Sequence, residues 1–147
     1  MEVQIKDNKI FAPLKDKWLV LKPEEKVRQE YICRLVNSYG FNLKQMDQDS
    51  KVQGIYLNYS ILIWKNKNSK INNESPLIVI QCKADSVIIK KEDYFKGLDF
   101  SREIGAKFFV ATNFKQTNIT LIIKPLCTFA YIKYCTSMVD KLLQSLK

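Results

Sequence analysis

Residues 76–83, Pro-Leu-Ile-Val-Ile-Gln-Cys-Lys, are apolar without a break until the last positions. Side chains of a strand alternate between its two faces, so a run of this kind needs both faces covered. The run therefore predicts a strand buried in the middle of a sheet, and the rest of the chain has to supply a layer on each side. With 147 residues and 46% hydrophobic content, the chain is long enough for one domain, spanning 1–147, around one real core.

The flanking patterns supply those layers. Pro23 sits where a helix favours its first residue, and Glu24 and Glu25 follow in the first turn. Val27, Tyr31, Leu35 and Tyr39 then recur every four residues, with Ile32 and Val36 beside them, and Gly40 ends the pattern. Residues 92–105 repeat the helical spacing through Tyr94, Phe95, Leu98 and Ile104, weakened by Gly97. Tyr131 to Leu146 predicts a third, C-terminal amphipathic helix that packs on the sheet or, failing that, offers a homodimer or subunit face. Strand-like segments are expected at 18–21, 55–64, 86–89, 107–112 and 118–124. Residues 1–17 read as irregular, 42–53 as a polar stretch, and the polar run 65–75 as a hairpin loop. The core order is α-β-β-β-α-β, a mixed α/β sandwich without internal repeats.

Composition removes much chemistry. The chain has no histidine, which excludes Ser-His and Cys-His nucleophile pairs, histidine general bases and histidine-ligated zinc. Cys33, Cys82, Cys127 and Cys135 form no C-x-x-C pair and read as reduced thiols packing as small hydrophobes, with a zinc site or disulfide framework as the lesser reading. No apolar run approaches the ~20 residues that span a bilayer, and Met1 to Lys6 lacks the apolar stretch of a signal peptide, so a cytoplasmic, non-membrane protein is expected. A net charge of +9 points to an anionic partner, nucleic acid before a membrane surface. Only Arg28, Arg34 and Arg102 among the 24 basic residues are arginines, and a chain rich in Lys, Asn and Ile also follows from an AT-rich genome.

The polar end of the central strand is the informative place. Gln81 and Lys83 lie two residues apart and share a face, and two polar side chains at the rim of an apolar strand suggest a site. A strand that has simply reached water would look the same, and Q-x-K by itself is a weak motif.

The surrounding order of elements makes it stronger. An antiparallel pair (55–64 and 76–83) preceded by a helix with acidic residues and followed by another helix resembles the PD-(D/E)XK nuclease core. More closely, the chain looks like the N-terminal domain of type I restriction enzyme R subunits, in the short stand-alone version of Bacteroides-like bacteria. The resemblance covers about residues 10–114. It runs through Ile10-Phe11-Ala12-Pro13-Leu14, Leu21 to Gln29, Ser60 to Trp64, Pro76 to Ala84 and Val110 to Asn113, and is most specific in P-E-E-x-V-R-Q and P-L-I-V-I-x-C-K-A.

The resemblance implies a restriction-endonuclease-like αβββαβ fold and metal-assisted phosphodiester hydrolysis. An Asp at the start of one strand and the Glu of E-x-K would hold Mg²⁺, the Lys would orient the nucleophile, and a Glu of the first helix would complete the site. Carried over, the helix Glu is Glu25 and the Lys is Lys83. The chain departs at the other positions: Ser60 stands where the family has Asp, and Gln81 where it has Glu. Lys96 and Phe100 stand near a Gln and a Tyr of many relatives.

Two carboxylates replaced by a hydroxyl and an amide turn a cation site into an anion site, able to hold a phosphate on Lys83, Lys96 and Gln81. Lys65 and Lys67 are further candidates for tracking a DNA backbone. Three relocated carboxylates could still rescue metal binding: Asp85, sharing the face of Lys83 if the strand continues; Asp99, one turn from Lys96; and Asp47 or Asp49, if the register of the 55–64 strand differs. Two readings follow. One is a Mg²⁺-dependent DNA endonuclease using Glu25, Lys83, Gln81 and a displaced carboxylate, foremost Asp85. The other is a DNA-binding or assembly module, working with DNA and other restriction-modification subunits, that kept the fold after losing its metal ligands.

Overall fold

The structure is a computed structural model and describes residues 1–51, 54, 56–58, 60–90, 92, 95–122, 141 and 143–145. The chain opens with an antiparallel meander of β1 (Ile5–Lys6), β2 (Lys9–Ala12) and β3 (Lys17–Val20). Asp7 and Asn8, both at positive φ, form the two-residue turn between β1 and β2, and Asp16 takes the same region before β3. A hairpin turn with both central residues left-handed matches the twist of its strands, and Asp and Asn tolerate it best after glycine. The opening read as irregular is therefore a small sheet. Its strands are too short, and its turns too poor in glycine, for the sequence pattern to announce it.

Helix α1 (Pro23–Asn37) follows, with Pro23 in its first turn beside Glu24 and Glu25. The chain leaves it through Gly40 at φ +72°, where the Gly40 N–H donates to Val36 O and the Phe41 N–H to Leu35 O. After a single 3₁₀ turn at Leu43–Gln45 come β4 (Met46–Gln48), β5 (Ser60–Ile63), helix α2 (Lys67–Ile71), β6 (Ile78–Cys82), helix α3 (Phe95–Glu103), β7 (Phe108–Thr112) and β8 (Thr117–Leu121). The last five strands form one sheet in the order β4-β5-β6-β7-β8, antiparallel except for the parallel pair β6–β7.

The central strand is β6, covered on both faces as its sequence demands. Ile78, Ile80 and Cys82 pack with Val27, Tyr31, Ile32 and Leu35 of α1. Val79 faces the other way, with Leu62, Trp64 and Phe109, under Leu98, Phe100 and Ile104 of the α3 segment. This is a mixed α/β fold of the restriction-endonuclease-like type, its core running α1-β4-β5-β6-α3-β7, an αβββαβ order in which β4 supplies the third strand in place of the one expected at 86–89.

Four local expectations change. The polar stretch 42–53 contains β4, whose Met46 and Gln48 are buried. The strand expected over 55–64 is regular only from Ser60 to Ile63 among the described residues. Residues 86–89 form no strand. The run 65–75 is no hairpin loop but contains α2, because the Asn66 side chain accepts the Ser69 N–H at 2.9 Å and caps it. Lys70 of α2 then lies over the Trp64 ring, 5.8 Å from its centre, with its ammonium on Met46 O.

The C-terminal helix falls mostly outside the described residues. Residues 141 and 143–145 are helical, and Leu143 is buried in the core on the α1 side. No helix among the described residues is long and apolar enough to cross a membrane.

Candidate functional site

Ser60 and Gln81 are register partners across β5 and β6. Alternation puts both on the α3 side, with Leu62 and Val79. Ser60 is fully buried, and its hydroxyl donates to Leu57 O at 2.7 Å. Gln81 reaches under α3 at Gly97, where a Cβ would stand 2.7 Å from Gln81 Oε1 and 2.5 Å from the Phe109 ring. That contact explains the glycine inside α3, since no larger residue fits between helix and sheet. Gln81 Oε1 is buried without a hydrogen-bond partner among the described residues.

Lys83 lies just past the end of β6, half-buried, and its N–H still donates to Thr112 O of β7 at 2.8 Å. The backbone thus keeps its ladder one residue further, and alternation returns Lys83 to the face of Gln81. Lys96 is exposed on α3 next to Gly97. Ser60, Gln81 and Lys83 therefore share one end and one side of the sheet, and Lys96 is exposed on the helix that covers that side. Phe100, one turn beyond Lys96, is buried in the core.

Glu25 belongs to a different cluster. It is buried on α1, where Arg28 forks onto both its oxygens, with Nε at 3.1 Å from Oε1 and Nη2 on Oε2. Gln29 Nε2 adds a bond to Oε1 at 2.7 Å and reaches Gln48 Oε1 at 3.1 Å. The second side of the guanidinium lies on the Asp49 carboxylate. Burial works against the charge of Arg28, but the bonds to Asp49 and Glu25 outweigh it and hold the guanidinium above its ordinary range. Cys82, on the α1 side of β6, is close enough to be affected: burial pushes its thiol up to about 12, with Arg28 opposing and Glu25 and Asp49 adding. Cys82 faces the Glu25 cluster and Gln81 faces Gly97, so the two groups lie on opposite sides of the sheet.

The remaining candidates are dispersed. Asp49 does come opposite Ser60, its N–H on Ser60 O at 3.4 Å, but its carboxylate turns to Arg28. Asp47 bridges Lys15 and Lys70, at 3.8 and 3.7 Å. The strand does not continue to Asp85, which sits in a turn closed by Val87 N–H on Ala84 O and pairs with Lys115 at 3.6 Å. Asp99 is exposed and pairs with Arg102. Lys65 and Lys67 follow the far end of β5, opposite to the end that carries Ser60.

This donor set does not fit Mg²⁺. The ion needs anionic oxygen in near-octahedral arrangement. Ser60 and Gln81 are neutral, and both oxygens of Glu25 are taken by Arg28 and Gln29. Among the described residues, no three acidic or cysteine side chains converge on a point.

Sequence reading singled out Glu25 but missed Arg28, Gln29 and Gln48. The signal was present for two of them, because positions 25, 28, 29 and 32 fall on one side of a helix and Ile32 belongs to the apolar stripe. Polar residues on a buried stripe imply one another as partners.

The protein-family comparison agrees with this fold. Residues 23–133 match the family described as type I restriction enzyme R protein N terminus. The chain belongs to that family, and so to a restriction-modification context. No curated protein and no solved structure matches the chain.

Proposed function

We propose that this domain binds DNA through the phosphate backbone without hydrolysing it, on a PD-(D/E)XK-type scaffold whose metal ligands have become neutral. The observation that carries this reading is the Ser60–Gln81 pair. A hydroxyl and an amide stand across β5 and β6 where the nuclease pattern needs two carboxylates, while Lys83 is retained two residues on. Losing two negative charges beside an ammonium favours an anionic occupant, and the net charge of +9 favours approach to DNA.

In this reading Lys83 and Lys96 contact phosphate oxygens and set where the backbone runs. Contacts of this kind position a duplex and carry no base sequence. The Glu25–Arg28–Asp49 cluster is structural: it fixes α1 against β4 from the other face of the sheet. The domain would then act within a restriction-modification assembly as a DNA-holding part, Mg²⁺ being no cofactor of it.

The test is incubation of supercoiled plasmid with the purified protein in Mg²⁺ or Mn²⁺, with EDTA and Lys83→Ala controls. The expected result is no nicking in either metal, with duplex binding retained in EDTA. Metal-dependent nicking that disappears in Lys83→Ala would overturn the non-hydrolytic reading and put a carboxylate back into the site. Absence of any duplex affinity at low salt would overturn DNA binding and leave a protein-assembly module.

A further inference from the structure

The β1-β2-β3 meander precedes residues 23–133, the part matched by the family, and nothing in the Lys83 site uses it. Its register assigns each side chain to one of two faces. Ile10 and Ala12 are buried on one face, while Lys6, Lys9 and Val20 group with the Phe11–Trp18 pair on the other. That second face presents large apolar groups to solvent: Trp18 is 42% and Val20 59% exposed, with Lys6 and Lys9 exposed beside them. Phe11 and Trp18 meet with ring centres 5.5 Å apart and planes at 60°. A tilted contact occupies one side of a ring at most and leaves indole surface available.

The charge is one-sided as well. The charged residues of this face are Lys6 and Lys9; Lys17 pairs with Ala12 on the opposite face, and Asp7 and Asp16 lie in the turns. Aromatic rings on a flat strand pair, bordered by lysines, match the chemistry of an unpaired nucleotide: a base with a π-face to stack and a phosphate to neutralise. A lipid surface would ask for aromatics on a protruding tip rather than in mid-strand.

We infer that this face is a second nucleic-acid site, which binds single-stranded nucleic acid by stacking an unpaired base on Trp18 and holding the flanking phosphates with Lys6 and Lys9. It is independent of the Lys83 site and stands or falls separately.

The chain has two tryptophans, and Trp64 is buried, so quenching of intrinsic fluorescence reports Trp18. The probe is an oligo-dT strand of about fifteen nucleotides titrated at low salt, with an oligo-U strand of equal length to separate DNA from RNA. Quenching is expected on at least one of them. Trp18→Ala should weaken that strand's binding about tenfold by anisotropy of a labelled probe, as loss of one stacked base does, and Trp18→Phe should restore most of it. Lys6→Gln with Lys9→Gln should lower affinity and flatten the salt dependence. Lys83→Ala should leave single-strand binding within about twofold, and Trp18→Ala should leave duplex binding unchanged. No quenching by either strand would overturn the inference. So would single-strand binding that falls with Lys83→Ala and ignores Trp18→Ala, and so would quenching by anionic vesicles with none by either strand.

Discussion

Ser60 faces Gln81 directly across β5 and β6, and neither carries a charge. Directly opposite positions bring Cβ atoms to ~5 Å, close enough for two carboxylates there to share one ion. Restoring them is therefore informative. The Ser60→Asp, Gln81→Glu double variant should lose thermal stability without metal, because like charges would face each other with one of them, at position 60, fully buried. Mn²⁺ should return part of that stability, with measurable binding heat by calorimetry, whereas the unaltered protein should respond to neither. An equal response from both proteins would contradict the reading of a site without metal ligands.

Arg28 holds the opposite face of the sheet. It is fully buried between Glu25 and Asp49, and removing one partner of a buried pair leaves the other charge uncompensated. Arg28→Met should cost about 3–5 kcal/mol of unfolding free energy in a urea titration. Adding Glu25→Gln to Arg28→Met should recover part of the loss, since the more deeply buried of the two uncompensated carboxylates is then gone. Equal stability of all three proteins would show that the cluster holds nothing together.

Gly97 marks the closest approach of α3 to the sheet. Gly97→Ala would put a methyl group against Phe109 and Gln81, and overpacking of this kind costs about 1–3 kcal/mol. A lower melting temperature is expected, eased when Phe109→Leu makes room. An unchanged or higher melting temperature, which alanine's better helix propensity alone would give, would contradict the tight contact.

Cys82 makes an alkaline prediction. Its thiol has an ordinary value of 9.0 and is pushed up to about 12 in the fold, mainly by burial. Above pH 9 the unfolded chain loses this proton while the folded chain keeps it, which favours unfolding. The stabilisation is whole below pH 9 and is lost as pH rises towards 12; burial of Tyr31, also raised, adds to the loss at the alkaline end. Cys82→Ala should flatten the decline in unfolding free energy measured above pH 9. In the native protein the half-buried Cys33 should be alkylated before Cys82, as peptide mass spectrometry would show. Faster labelling at Cys82 would contradict its place under α1.

The fold was legible where burial alone decides structure. Leu77 to Ile80 could only be a strand covered on both faces, and the stripe from Val27 to Leu35 could only cover it. Legibility ended where polar groups or local turns took over. Gln48 is buried by hydrogen bonding to Gln29 instead of by hydrophobicity, so β4 was hidden inside a polar stretch. Asn66 and Lys70 organise α2 through a cap and a long aliphatic stem, in a run that looked fully solvated. At the site, the pairing of Ser60 with Gln81 and the nearness of Lys83 were readable from strand periodicity. That Glu25 and its partner Arg28 lie across the sheet from Ser60 and Gln81 was not, because it depends on which face of the sheet α1 covers.

Duplex affinity in EDTA across a salt series, for the unaltered protein and Lys83→Ala, tests the central claim most directly. The account predicts binding that needs no metal and weakens with salt. It also predicts a shallower slope for the variant, by about one unit of log affinity per log salt, as loss of one phosphate contact gives. Identical affinity and slope for the two proteins, or binding that appears only when Mg²⁺ is added, would contradict it.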